Sequence, residues 1–310
     1  MSSGQPKRVV SLLPAATEVV FALGCGDHLV GVSHECDFPA EARERPVVTR
    51  ARFRSNGSSG EIDRAVRASL LAGKPLYELD TDLLLSLQPD LLLVQETCAV
   101  CALPAHDVRR ALSEGGLAVD VVPLHAHDLP GVLADIERVA IALGRSDAGR
   151  ALVARLEEEF DGVRRVTARA RYRPRVLCLE WLDPPMVAGN WVPSLVEIAG
   201  GRPLLAEPGR PSVTVSWADV SEASPEVVLL MPCGFSLERT LAELDEFPRP
   251  PEWHSLVAVQ CGRVYAVDGN AYFNRPGPRI LESLKILAGL TQPGLCARWL
   301  PEGNWARIES

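Results

Sequence analysis

Short apolar runs bounded by turn residues alternate along the chain with stretches whose apolar positions recur every three or four residues. The first kind reads as a strand buried on both faces, the second as an amphipathic helix. On that pattern residues 8–13 form a strand broken at Pro14, 15–23 a helix ended by Gly24, and 28–33 a second strand. A polar loop, HECDFP, follows. A short strand at 47–48 then opens a long irregular loop over 49–60, TRARFRSNGSSG. Helices are predicted over 62–71 and 81–87, a strand over 91–94, a helix over 107–113 stopped by Gly115-Gly116, and a strand over 118–123. Strands and helices alternating with short connectors predict a parallel, Rossmann-like sheet.

Residues 128–170 differ in kind. Leu129, Val132, Leu133, Ile136, Val139, Ala140, Leu143, Leu152, Leu156, Phe160 and Val163 recur at helical spacing, with no strand pattern between them. About 40 helical residues at ~1.5 Å rise would span roughly 60 Å, the length of a strut between two lobes. Two ordinary helices, separated near Gly144 and Ser146-Asp147, are the alternative. From Arg175 the alternation resumes, with strands over 176–180, 227–231 and 263–267. Helices are predicted over 193–199, 237–244 and 276–290.

One phrase is written twice. Leu87-Gln88-Pro89-Asp90 precedes the apolar run 91–94, and Ala223-Ser224-Pro225-Glu226 precedes the run 227–231. Gly200-Gly201 likewise echoes Gly24-Cys25-Gly26. The repetition predicts an N-terminal α/β lobe over 1–127, a connecting helix over 128–170 and a C-terminal α/β lobe over 171–310.

Composition narrows the function. With 47% hydrophobic and 23% charged residues the chain is globular, and a net charge of −8 without a basic patch argues against a nucleic-acid partner. No run reaches the ~18 apolar residues of a membrane span. The start carries neither a cleavable leader nor a lipid-anchor cysteine, so a cytoplasmic location is expected for the chain as written.

In open α/β sheets ligands bind at the carboxyl ends of the strands. The loops expected there carry Pro14, Glu35, Arg50, Arg52, Gln95 and Glu96 in the first half. In the second half they carry Trp181, Asn190, Trp191, Tyr272, Phe273, Asn274 and Arg275. Aromatics among a few polar groups suit a large, partly flat ligand. Trp181 and Trp191 have a second reading as caps on the core of their lobe, set against the nearby Asp183 and Asn190, which are unusual core partners. Cys98-x-x-Cys101 reads as a redox pair, half of a metal site or plain packing. With Cys36 and Cys233 on loops expected nearby it supplies enough thiols for a metal site, and reduced, unligated thiols are the alternative. His125-x-His127 lacks a third ligand, and no nucleophile elbow, phosphate loop or H-E-x-x-H motif occurs.

The segments RVVSLLPAATEVVFALGCGDHLVGVS (8–33), LQPDLLL (87–93), Ile198-Ala199-Gly200-Gly201 and FNRPGPRI (273–280), in this order around the middle helix, carry a resemblance. The chain resembles the periplasmic-binding-protein family for vitamin B12 and iron complexes, the class III substrate-binding fold, in its signal-less branch labelled cobalamin-binding protein. The resemblance implies an α/β fold of two Rossmann-like lobes joined by a single long helix, with a ligand cleft between the lobes. It implies a non-enzymatic binding protein for cobalamin, another corrinoid, or a related metal–tetrapyrrole or iron-chelate ligand. By motif position Pro14, Trp181, Trp191, Phe273, Asn274 and Arg275 would line the cleft. The partner implied is an ABC permease, docked through one acidic residue per lobe, for which Glu78 and Glu207 are candidates. That transport role would place the chain in the periplasm. A cytosolic metal- or redox-dependent enzyme or sensor, using the cysteines on the same scaffold, is the alternative.

Overall fold

The computed structural model describes residues 7–53, 55–96, 103 and 105–309. The chain forms two compact units. The first takes the chain up to Gly57, then 64–126 and 130–154; the second takes 58–63, 127–129 and everything from Arg155.

In the first unit β1 (Val9–Ser11) is wholly buried and leads into α1 (Pro14–Ala22). Pro14 sits in the first turn, where a missing N–H leaves no helical bond unmade. At the other end of α1, Gly24 adopts φ 69°, its N–H donates to the Phe21 carbonyl and the Cys25 N–H to that of Val20. These are the paired bonds of a Schellman end. The chain returns through β2 (Leu29–Val32), then β3 (Thr49–Ala51), α2 (Ser59–Leu71), whose residues up to Asp63 belong to the second unit, and β4 (Tyr77–Leu79). Next come α3 (Thr81–Ser86), β5 (Leu91–Gln95), α4 (Ala105–Glu114) and β6 (Asp120–Leu124). The main sheet has the order β2-β1-β5-β6, all parallel, while β3 and β4 pair separately and antiparallel. Leu91, Leu92, Leu93 and Val94 have no exposed surface, as a strand covered on both faces requires.

The stretch 128–170 is not one helix. It is α5 (Leu129–Ala142) followed by α6 (Ser146–Thr167). Gly144, at φ 68°, ends α5: its N–H donates to the Ile141 carbonyl and the Arg145 N–H to that of Ala140, and Ser146 starts afresh. The 22 residues of α6 carry the chain from the first unit into the second, with the crossing between Ala154 and Arg155.

The second unit runs through β7 (Arg175–Leu182), β8 (Pro185–Val187), α7 (Val192–Ile198), β9 (Arg202–Pro203) and β10 (Val213–Thr214). It continues with α8 (Trp217–Ala223), β11 (Val227–Leu230), α9 (Leu237–Glu246), α10 (Val257–Gln260) and β12 (Val264–Val267). It closes with α11 (Ile280–Thr291), α12 (Pro293–Cys296) and β13 (Trp305–Arg307). Parallel pairing joins β9, β7, β11 and β12 in the same order as β2, β1, β5 and β6. Antiparallel strands β8 and β13 are added on β7 and β12, and β10 on β8.

The repeated phrase repeats its hydrogen bonds. In the first unit the Arg8 N–H donates to Asp90 Oδ2 at 2.8 Å and the Asp90 N–H returns to the Arg8 carbonyl at 2.8 Å. In the second the Arg175 N–H donates to Glu226 Oε2 and the Glu226 N–H to the Arg175 carbonyl, both at 2.9 Å. Each guanidinium also reaches the end of the preceding helix: Arg8 donates to the Leu87 carbonyl, Arg175 to that of Ser224. Gln88 (φ 43°) and Ser224 (φ 50°) both turn left-handed before their proline, although neither is glycine. Gly200 and Gly201 repeat the end of α1 on α7, donating to the Glu197 and Val196 carbonyls. At Gly201 a Cβ would come within 2.7 Å of Val176 Cγ2, so the strand and helix meet there only because the side chain is absent.

Two outcomes follow for the second clamp. Glu226→Ala strips the Arg175 N–H and the Tyr172 hydroxyl of their acceptor, and urea denaturation is expected to show a loss of about 1–3 kcal/mol; a loss under about 0.5 kcal/mol would contradict the clamp. Burial opposes ionisation of Glu226, but the Arg175 N–H, the Tyr172 hydroxyl and the charges of Arg175 and Arg263 outweigh it, so the carboxyl is held below its usual range. The folded value therefore lies below the unfolded one. The contribution is whole above about pH 4.3 and is lost as pH falls through the folded value. Glu226→Gln is expected to flatten that acid limb of the stability profile.

Candidate functional site

In the first unit the strand ends carry a tight polar knot. Thr17 Oγ1 donates to Cys36 Sγ at 3.1 Å, and Ser33 Oγ lies 3.4 Å from the same sulfur. Thr49 Oγ1 accepts the His34 backbone N–H at 3.0 Å and lies 2.7 Å from His34 Nδ1. Burial lowers the pKa of His34, against the raising effect of Glu35, whose Oε1 is 3.5 Å from Nε2. At the ends of β5 and β6, Glu96 Oε2 is 3.6 Å from His125 Nδ1. The buried Asp135 accepts the His125 and Ala126 N–H groups at 2.8 and 2.9 Å and pairs with Arg138, which fixes the chain leaving β6. Burial raises the Asp135 pKa against those bonds.

In the second unit the end of β7 presents Trp181. Its ring meets Phe235 edge-on with centroids 5.4 Å apart, and the guanidinium of Arg239 lies 3.6 Å from the Phe235 centroid on α9. Trp181 Nε1 donates to the Ser59 carbonyl at 3.2 Å, and the Ser59 N–H donates to Glu243 Oε1 at 2.8 Å. The loop after β12 is tied to the loop after β11. Asn274 Nδ2 donates to the Met231 and Gly269 carbonyls at 3.1 and 2.9 Å, and the Asn270 N–H to that of Phe235 at 3.0 Å. Gly269 passes so close to these carbonyls that a Cβ would stand 2.4 Å from the Pro232 oxygen.

The expected residues therefore divide. Pro14, Gln95 and Glu96 stand at carboxyl ends of parallel strands, Glu35 in the loop after β2, and Trp181 and Tyr272 are partly exposed at the ends of β7 and β12. Asn190 is held at φ 53° by a bond from its N–H to the Arg210 carbonyl. Trp191, Phe273 and Arg275 face inward, at 9%, 1% and 5% exposure. Trp191 Nε1 donates to the Phe273 carbonyl at 2.9 Å, and Arg275 Nη2 to Asn270 Oδ1 at 3.0 Å, so these side chains shape the loop from beneath. Arg50 and Arg52 lie away from the parallel sheet, on and just after β3, and both pair with Glu78 on β4. Phe235, Arg239 and Ser59 belong to the surroundings of Trp181 and carried no sequence signal, since Ser59 and Glu243 are 184 residues apart.

Cys98 and Cys101 lie outside the described residues. Cys36 is buried at 5% exposure with its sulfur hydrogen-bonded inside the first unit, while Cys233 is exposed in the second. Among the described residues no group of three or more His, Cys, Asp or Glu side chains is placed to hold a metal ion. Glu207, one of the two acidic docking candidates, is exposed.

A family model described as "Periplasmic binding protein" matches residues 9–271. The vitamin B12-binding protein of Vibrio parahaemolyticus is 26% identical over 295 residues, covering 92% of this chain and 89% of that protein. An uncharacterized ABC transporter substrate-binding lipoprotein of Bacillus subtilis is 22% identical over 295 residues, covering 93% and 81%. The crystal structure of a periplasmic heme binding protein from Pseudomonas aeruginosa superposes with a TM-score of 0.75 at 20% identity, covering 99% of both chains. With most of its length matched by the family model, this chain belongs to the periplasmic binding protein family, whose members bind substrates and are not enzymes.

Proposed function

We propose that the chain binds a flat metal–tetrapyrrole, cobalamin or haem, and that the strand-end loops of its units supply the contacts. Similarity to a vitamin B12-binding protein along nine-tenths of the chain is the observation that carries this reading. The chemistry of the second unit supports it. Trp181 is a partly exposed ring whose position is fixed by Phe235 and by a bond to the Ser59 carbonyl, which suits it to an apolar planar face. Tyr272 is its partly exposed counterpart on the loop after β12, and the inward-facing Trp191, Phe273 and Arg275, with the half-buried Asn274, hold that loop in shape. The acceptor oxygens of Glu35, Gln95 and Glu96 would suit the amide N–H groups on the rim of a corrinoid.

On this reading the chain serves an ABC importer and works in the periplasm, the compartment of its family. No described helix is long and apolar enough to cross a membrane. Of the two acidic docking candidates Glu207 is the better one, because the carboxylate of Glu78 is already engaged by Arg50 and Arg52.

Titration with cyanocobalamin, hydroxocobalamin and haemin, followed by absorbance and calorimetry, is expected to give saturable binding of at least one at about 10 μM or tighter. Absence of saturable binding of all three at about 50 μM overturns the reading. Trp181→Ala is expected to weaken the bound cargo by about tenfold, the order of one aromatic stacking contact. Unchanged affinity would remove Trp181 from the binding surface.

A further inference from the structure

We propose that the first unit carries a second binding site, an open concavity framed by Arg50, Arg52 and Lys74 that takes a small, multiply charged oxyanion of the phosphate or polycarboxylate class. The concavity measures about 740 Å³ and is lined by Arg50, Ala51, Arg52, Ser69, Lys74, Pro75 and Glu78. Its floor is set by strand register. Arg50 on β3 stands opposite Glu78 on β4, and the two-residue period of an extended chain returns Arg52 to the side of Arg50. The Arg52 N–H donates to the Leu76 carbonyl, which continues the pairing past the end of β3.

Glu78 accepts from Arg50 Nε at 2.9 Å and from Nη2 at 2.8 Å, and Arg52 Nε lies 3.2 Å from its Oε2. One carboxylate thus fixes two guanidinium groups and leaves Arg50 Nη1 and both terminal nitrogens of Arg52 uncommitted among these contacts. The Arg50 hydrogen bond, joined by the charges of both arginines, holds the Glu78 carboxyl below its usual range against desolvation, so it stays ionised and keeps the pair in place. Lys74 follows the Gly73 end of α2, its N–H tied to the Ser69 carbonyl, and its Nζ makes no ion pair among the described residues. Three cations against one anion leave two positive charges at one concavity of a chain whose net charge is −8. Guanidinium forks preset by an internal carboxylate, with a free ammonium beside them, match an anion that offers several oxygens.

The deciding titration uses pyrophosphate and no tetrapyrrole, so failure here and failure of the tetrapyrrole reading are told apart. Pyrophosphate titrated calorimetrically at low salt into the wild-type chain is expected to bind saturably. Lys74→Glu is expected to weaken it by about tenfold or more, and Lys74→Ala by a smaller factor. Arg109→Glu, an equal change of net charge on the exposed side of α4, is expected to leave it unchanged. Three results would each overturn the proposal: no saturable binding, undiminished binding in Lys74→Glu, or equal losses in Lys74→Glu and Arg109→Glu. Haemin titrated against Lys74→Glu separates the sources of the oxyanion. Unchanged haemin affinity assigns the site to a free ion, and a parallel loss assigns it to the carboxylates of the cargo.

Discussion

A strand buried on both faces has no water to satisfy its backbone, so every N–H and carbonyl at its ends needs a protein partner. In this chain the partner at the amino end of the first strand of each unit is a carboxylate from the turn before the neighbouring strand. Asp90 takes the Arg8 N–H and Glu226 takes the Arg175 N–H. The same arginines reach back to the helix that precedes that turn. Strand, turn and helix are thereby tied at one point, and the parallel pairs β1–β5 and β7–β11 start in register.

Fixing the amino ends leaves the carboxyl ends to vary, and there the two units differ. The first ends in a knot of small polar side chains around Cys36 and Thr49. The second ends in aromatic rings and in two loops stitched together by Asn274 and Asn270. The common framework carries the fold, and family membership rests on the match over residues 9–271. On the proposed reading the strand-end loops carry the ligand preference.

The repeat was legible because both its components leave marks in sequence. An apolar run of strand length after Pro-Asp or Pro-Glu is visible by eye, and so is a glycine pair closing a helix. The two-lobe organisation and the parallel pairing of the strands followed from these. The break at Gly144 was legible as the alternative to a single strut over 128–170, and it is the alternative the structure takes. Three kinds of feature were not legible. The short antiparallel strands β8, β10 and β13 have two or three residues, too few for an alternating pattern to register. Loop composition also says nothing of direction. Phe273 and Arg275 look like ligand contacts in a polar-aromatic loop, yet they turn inward. Pairings across long separations, such as Arg50 with Glu78 or Ser59 with Glu243, leave no local trace.

The account places ligand contact on the strand-end loops over an unchanging framework. Amide hydrogen exchange with and without hydroxocobalamin or haemin tests this most directly, since it reads each loop separately. The result predicted is added protection over 33–36, 95–96, 181–191, 231–236 and 268–275, with the framework segments 8–11, 90–94 and 175–179 unaltered. Protection confined to other surfaces, or none with a ligand shown to bind, would contradict it.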